Sequence, residues 1–221
     1  MERSRIAIVI PALNEAATIG AVLERVKEYG LPIVVDDGSS DATAALAHEA
    51  GAEVVTHTQN QGYDAALNSG FARATALECT YAITIDADGQ HNPAQLRDMI
   101  DYLDQGYELV LGVRDRHQRI GEVIFAYCAK RLWNISDPLC GMKGYSLELY
   151  NKVGYFDSFQ SIGTELAVRS VVNGCRSIEM PIITRDRQDA PRFASKFAAN
   201  HKILRAMLIL MGLCSMKKLK R

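Results

Sequence analysis

A chain of 221 residues, 48% hydrophobic and 23% charged, is long enough for one well-packed α/β domain and short for two. Its formal charge of −1 hides an asymmetry: residues 185–221 hold 10 of the 25 Lys and Arg but only 2 of the 26 Asp and Glu. Because that basic end is also apolar, an anionic membrane surface is the expected partner and nucleic acid is not. The five cysteines, odd in number and without a C-x-x-C pair, argue against a disulfide framework or a zinc site and fit a reducing cytoplasm. The strand-like run after Met1–Arg5 is too short for a signal-peptide core, so no export is expected.

In chain order, Arg5–Pro11 reads as a buried parallel strand, and Ala16–Tyr29 as a helix that starts behind Asn14-Glu15 and stops at Gly30. Ile33-Val34-Val35 repeats the strand pattern and ends in Asp36-Asp37-Gly38. Asp41 can cap a helix over Ala42–Ala50, with Gly51 as its stop. A strand over Glu53–Thr56, a polar loop over Gln59–Tyr63 and a helix over Asp64–Ala76 follow. The apolar run Tyr81–Ile85 ends abruptly at Asp86-Ala87-Asp88-Gly89-Gln90, Pro93 opens a helix to Gln105, and Leu109–Val113 is the next strand. Strands alternating with helices at this spacing predict a doubly wound, mostly parallel sheet with helices on both faces. Beyond Arg114 the alternation fades into a basic loop (Arg116, Arg119), a helix over Ile120–Ile135 and a hairpin-like segment around Met142–Tyr145. A helix over Thr164–Asn173 and a strand near Ile178–Pro181 close the second half.

Ligands of α/β sheets bind outside the carboxyl ends of parallel strands, which directs attention to Asp86 and Asp88. In extended geometry residues i and i+2 project to one side, so both carboxylates can face a single hard cation, with Gln90 adding a neutral oxygen. Mg²⁺ and Mn²⁺ favour such oxygen donors and typically keep positions open for substrate phosphates, which implies a diphosphate-bearing substrate. The competing reading is a polar turn that caps the helix opened by Pro93. An EF-hand loop does not fit, because its required Gly falls on His91 and its bidentate Glu on Arg97. Neither G-x-G-x-x-G nor a P-loop occurs, which argues against dinucleotide oxidoreductases and P-loop enzymes.

Ordered along the chain, Ile10-Pro11-Ala12-Leu13-Asn14-Glu15, Val34–Asp41, Gln61–Gly70, Asp86–Pro93, Leu111–Arg114, Asp137-Pro138-x-Cys140-Gly141, Glu165 and Glu179–Ile182 together resemble the family 2 glycosyltransferases of the GT-A fold. The resemblance is to the polyprenyl-phosphate branch typified by dolichyl-phosphate mannose synthase. It implies one catalytic domain over residues 1–195, a nucleotide-sugar half to residue 113 and an acceptor half beyond. In that reading Pro11, Ala12, Asn14, Glu15, Asp37, Gly62, Asp86 and Ala87 line the nucleotide-sugar site, Asp37 by accepting from the base. Asp86, Asp88 and Gln90 hold Mg²⁺ or Mn²⁺ against the diphosphate of a UDP- or GDP-sugar, and transfer proceeds in line with inversion. Arg114, with Cys140, Arg192 and Lys196, is implied to bind the phosphate of a polyprenyl-phosphate acceptor or to face another cell-envelope glycan. Glu165 is implied either as a general base for a hydroxyl acceptor or as a structural residue. Departures fall at the acceptor end: Cys140 stands where the family commonly has Ser, and Ser136 where a basic residue often precedes Asp-Pro.

Two other readings compete. A sugar-nucleotide pyrophosphorylase would want a Gly-rich loop where Pro11–Glu15 stands, and a non-catalytic nucleotide-sugar-binding protein would not need Asp86-x-Asp88. Within residues 196–221 the uninterrupted apolar core Ala206–Cys214 falls well short of the ~20 residues that span a bilayer. With basic residues on both sides, this helix is expected either to lie in the interface at the cytoplasmic face of the membrane or to dock on the domain or on a second copy in a homo-oligomer.

Overall fold

The computed structural model describes residues 5–116, 119–184 and 196–218. Among them, seven strands form one sheet: β1 (Ile6–Ala12), β2 (Leu31–Asp36), β3 (Glu53–Thr56), β4 (Tyr81–Thr84), β5 (Leu109–Arg114), β6 (Lys143–Ser146) and β7 (Ser177–Ile182). Their order is β3-β2-β1-β4-β6-β5-β7, and every pairing is parallel except the two made by β6. The chain leaves β1 toward β2 and β3, then returns to place β4 on the other side of β1. That reversal is a topological switch point, where loops diverge and leave a crevice.

Eight helices cover the sheet: α1 (Ile19–Val26), α2 (Thr43–Glu49), α3 (Tyr63–Ala76), α4 (Gln95–Asp104), α5 (Ile120–Trp133), α6 (Leu147–Val153), α7 (Glu165–Val172) and α8 (Lys196–Lys218). Alternation along β1 separates two cores. Ile6, Ile8 and Ile10 join Leu23, Leu96 and Met99 on one face, whereas Ala7 and Val9 join Phe71, Phe125 and Leu166 on the other. Phe71 anchors the second core, with ring centroids 4.6 to 5.4 Å from Phe156, Tyr150 and Tyr145.

Three elements differ from expectation. The segment around Met142–Tyr145 is no hairpin but a single strand inserted antiparallel between β4 and β5, with Ala82 and Leu109 both opposite Tyr145. Its partners lie far away in sequence, so local pattern could not reveal them. The helix α6 was unexpected, although Ser146, whose Oγ accepts from Leu149 N, and Gly154 at φ 87° mark its two ends. The helix expected over Ala16–Tyr29 is confined to Ile19–Val26, with turns on either side.

The C-terminal helix docks on the domain. Ala199, Ile203, Ala206, Met207 and Leu210 recur at helical spacing and are buried against α5 and α7. Each large side chain in that stripe contributes about 1.5–3 kcal/mol by burial. No helix among the described residues is long and apolar enough to cross a membrane.

Candidate active site

The switch point brings the carboxyl ends of β1, β4 and β5 and the amino end of β6 to one edge. A cavity of about 280 Å³ opens there. Its walls include Pro11 from β1, Asp86, Ala87, Asp88 and Gln90 from the loop after β4, Arg114 from β5, and Cys140 ahead of β6. Seven of the sequence-derived site residues therefore share one cavity. β4 ends at Thr84, so Asp86 and Asp88 sit in the following turn, not in extended chain; both still line the cavity. Asp88 Oδ1 accepts from Gln90 N at 3.1 Å, which tightens that turn.

Asp86 is held from three sides. Tyr63 Oη donates to its Oδ1 at 3.2 Å, His91 Nε2 lies 3.2 Å from its Oδ2, and a Cβ on Gly141 would stand 2.2 Å from Oδ2. Only glycine fits at 141. Burial pushes the Asp86 carboxyl up, but His91, Tyr63 and the charge of Arg114 outweigh it and hold the group below the ordinary carboxylate range. An ionised Asp86 beside Asp88 and the Gln90 amide is an all-oxygen donor set suited to a hard divalent cation. No group of three His, Cys, Asp or Glu among the described residues could hold a metal ion by itself. Two carboxylates leave coordination positions for a substrate's own oxygens.

The same cavity is lined by a charged cluster. Arg114 donates through Nε (2.7 Å) and Nη2 (2.9 Å) to the two oxygens of buried Asp137, and its backbone N–H reaches the same carboxylate at 3.1 Å. Burial pulls this guanidinium down, but Asp137 more than compensates and holds it above its ordinary value. Glu122, 3% exposed, places one oxygen 3.3 Å from Arg114 Nη2 and the other 2.8 Å from Arg119 Nη1. Cys140 is fully buried, and burial followed by the Asp137 charge pushes its thiol up to about 12. It meets the cavity as a neutral group.

The remaining sequence-derived residues shape the site without lining the cavity. Asp37, 4% exposed, accepts from Gln61 N and Gly62 N at 2.8 Å and pairs with His57 Nδ1 at 2.7 Å, while His57 Nε2 lies 2.8 Å from Ser69 Oγ. Gly62, at φ 97°, starts α3 and brings Tyr63 to Asp86. Asn14 takes Ser40 N on its Oδ1 and gives its own N–H to Ser39 Oγ, clamping the turn after β2. Ala12 O accepts from Asp37 N, and buried Glu15 accepts from Thr18 Oγ1. Glu165 is fully buried outside the cavity, and its carboxylate is engaged by Ser158 N, Ser158 Oγ and Arg169 Nε. Arg192 and the Lys196 side chain lie outside the described residues.

Sequence reasoning passed over Tyr63, Arg119, Glu122, Leu139, Gly141, Ile162 and Ile203 as cavity residues. Tyr63 follows Gly62 directly, and the i,i+3 pairing of Arg119 with Glu122 across the start of α5 was a usable signal. Ile203 offered none, because it enters from α8.

A pair of acidic residues at the switch point, sharing a small cavity with two arginines, on a mostly parallel sheet covered by helices, is the arrangement of a glycosyltransferase of the GT-A fold. The family model described as "Glycosyl transferase family 2" matches residues 7–154, and the chain belongs to that family. It is 28% identical over 219 residues to the dolichyl-phosphate hexose transferase of Haloferax volcanii, covering 92% of this chain and 94% of that one. It is also 28% identical over 210 residues to the polyprenol monophosphomannose synthase of Mycolicibacterium smegmatis, covering 83% and 78%. In fold it is similar to glucosyl-3-phosphoglycerate synthase from Mycobacterium tuberculosis, solved in complex with Mn²⁺, UDP and glucosyl-3-phosphoglycerate. That match has a TM-score of 0.77 and 23% identity and covers 96% of this chain and 81% of that one. The chain is therefore a glycosyltransferase.

Proposed function

We propose that this glycosyltransferase moves one sugar from a UDP- or GDP-sugar to the phosphate of a polyprenyl phosphate, with inversion. The observation that carries the reading is a single cavity lined both by an oxygen-donor set (Asp86, Asp88, Gln90) and by two arginines (Arg114, Arg119). A donor diphosphate belongs beside the first and an anionic acceptor beside the second. The names of the Haloferax and Mycolicibacterium relatives support a lipid-phosphate acceptor.

Asp86, Asp88 and Gln90 would hold Mg²⁺ or Mn²⁺, which would offset the charge developing on the leaving nucleoside diphosphate. Tyr63 and His91 keep Asp86 ionised and fixed. Arg114, oriented by Asp137, presents its guanidinium to the acceptor phosphate, for which a planar fork is well suited. A phosphate acceptor is already an anion, so no general base is needed, and Glu165 serves by fixing the segment that contains Ser158. Asp37 fixes the Gln61-Gly62 loop; with acceptor capacity beyond its three donors, it also contacts the base. The sheet and its helices form one catalytic domain, on which 196–218 docks.

Membrane contact is proposed for α5. Ile120, Val123, Ile124 and Tyr127, spaced i, i+3, i+4, i+7, are 40–74% exposed on the helix whose start lines the cavity. Donor specificity is tested by thermal shift with UDP- and GDP-sugars with and without Mn²⁺, since a bound ligand stabilises by mass action. Stabilisation by one nucleotide series that requires the metal supports the reading. No shift with any of them counts against it.

A further inference from the structure

We infer that Glu122 is a built-in place-holder for the acceptor phosphate, occupying the seat between Arg114 and Arg119 until the substrate displaces it. The inference rests on the reading of this cavity as a transferase site with its acceptor phosphate beside the arginines. Arg114 meets two carboxylates that differ in place. Asp137 binds it from behind, 1% exposed and absent from the cavity wall, with three hydrogen bonds that set its direction. Glu122 faces the cavity, and its two oxygens are divided between the two arginines at 3.3 and 2.8 Å.

A carboxylate bridging two guanidinium groups has the charge and the two-oxygen geometry that a phosphate monoester would bring. The cluster of Arg114, Arg119, Asp137 and Glu122 is formally neutral. Arg114 and Arg119 are only half-buried, and without Glu122 each would lose a carboxylate at hydrogen-bond or ion-pair distance, so Glu122 keeps the empty seat stable. A phosphate that arrives finds a carboxylate already against both guanidinium groups until Glu122 gives way. Glu122 then withdraws with its charge and the phosphate oxygens take its two donors. The substitution is thus an exchange of anions, which weakens binding of free phosphate and favours an acceptor with additional contacts. Arg119 stands just ahead of α5 and Glu122 in its first turn, so displacing the carboxylate requires a side-chain change at a helix start and leaves the sheet untouched.

Calorimetric titration of inorganic phosphate and of farnesyl phosphate into wild type, Glu122→Gln and Glu122→Ala tests this, each with and without UDP and Mn²⁺. The place-holder predicts that Glu122→Gln binds both phosphates about ten-fold more tightly than wild type. Equal or weaker binding means that Glu122 only orients the arginines and overturns the proposal. Adding Arg114→Ala to Glu122→Gln separates the two levels of inference. If phosphate affinity survives that change, Arg114 does not seat the acceptor and the underlying reading fails; if it is lost while Glu122→Gln alone gave no gain, only the place-holder fails. A gain that vanishes when UDP and Mn²⁺ are present would assign the seat to the donor diphosphate and reject an acceptor role. Glu122→Ala repeats the comparison without a hydrogen-bonding amide, and each variant's melting profile shows whether it is folded.

Discussion

Asp88 and Asp37 both lie just beyond a strand, yet they are built for different work. Asp88 lines the cavity and its Oδ1 accepts from Gln90 N within a local turn, so Asp88→Ala should abolish sugar transfer while shifting the unfolding midpoint little. A transfer assay beside a circular-dichroism melt checks this, and metal-dependent turnover in the variant would remove Asp88 from the metal site. Asp37 supports two loop amides and the His57 ring. Its loss leaves three buried or half-buried donors without an acceptor, so Asp37→Ala should cost about 3 kcal/mol of stability as well as raise the donor KM. A urea titration that finds wild-type stability with a raised KM would leave only base contact as its role.

At the scale of elements, α8 uses its apolar stripe within the fold, and the membrane contact expected of the C-terminus is proposed instead for α5. The apolar stripe of α8 is spent on α5 and α7, so Ile203→Ala should destabilise by about 2–4 kcal/mol in chemical denaturation. The exposed stripe on α5 predicts that the double variant Ile124→Glu and Tyr127→Glu keeps its fold but loses recovery with anionic liposomes in flotation. Undiminished recovery would return membrane contact to another surface. Both helices were legible in the sequence, but their faces were not, because 3.6-residue periodicity shows that a stripe exists without saying what it meets. For the same reason β6 was misread: Lys143-Gly144-Tyr145-Ser146 acquires its meaning only from β4 and β5. The site read better than the sheet. Strand-end residues such as Pro11, Asp86 and Asp88 carry the type of chemistry in their identity, whereas Glu122 and Ile203 acquire theirs by packing across the fold.

Across the whole molecule, buried polar groups join segments distant in sequence, and one of them sets a pH dependence. Asp64 on α3 accepts from Ile162 N and Gly163 N just ahead of α7; burial and the charge of Asp157 raise its carboxyl to about 6, against those two N–H groups and Lys143. The folded state therefore holds this proton more tightly than the unfolded chain. The associated stability is present below the ordinary carboxylate value and is lost as pH rises through about 6. Asp64→Asn should gain on wild type between about pH 4.5 and 7.5, by at most about 3 kcal/mol. A variant-minus-wild-type difference that stays constant over that range contradicts the assignment. The central claim is that this cavity joins a sugar to a lipid phosphate. Mass spectrometry of the lipid fraction after incubation with polyprenyl phosphate, Mn²⁺ and UDP- or GDP-sugars tests it most directly. The account predicts a lipid heavier by one sugar residue, with nucleoside diphosphate released, and no product with EDTA or Asp88→Ala; an unmodified lipid with every donor, in enzyme shown to bind them, would contradict it.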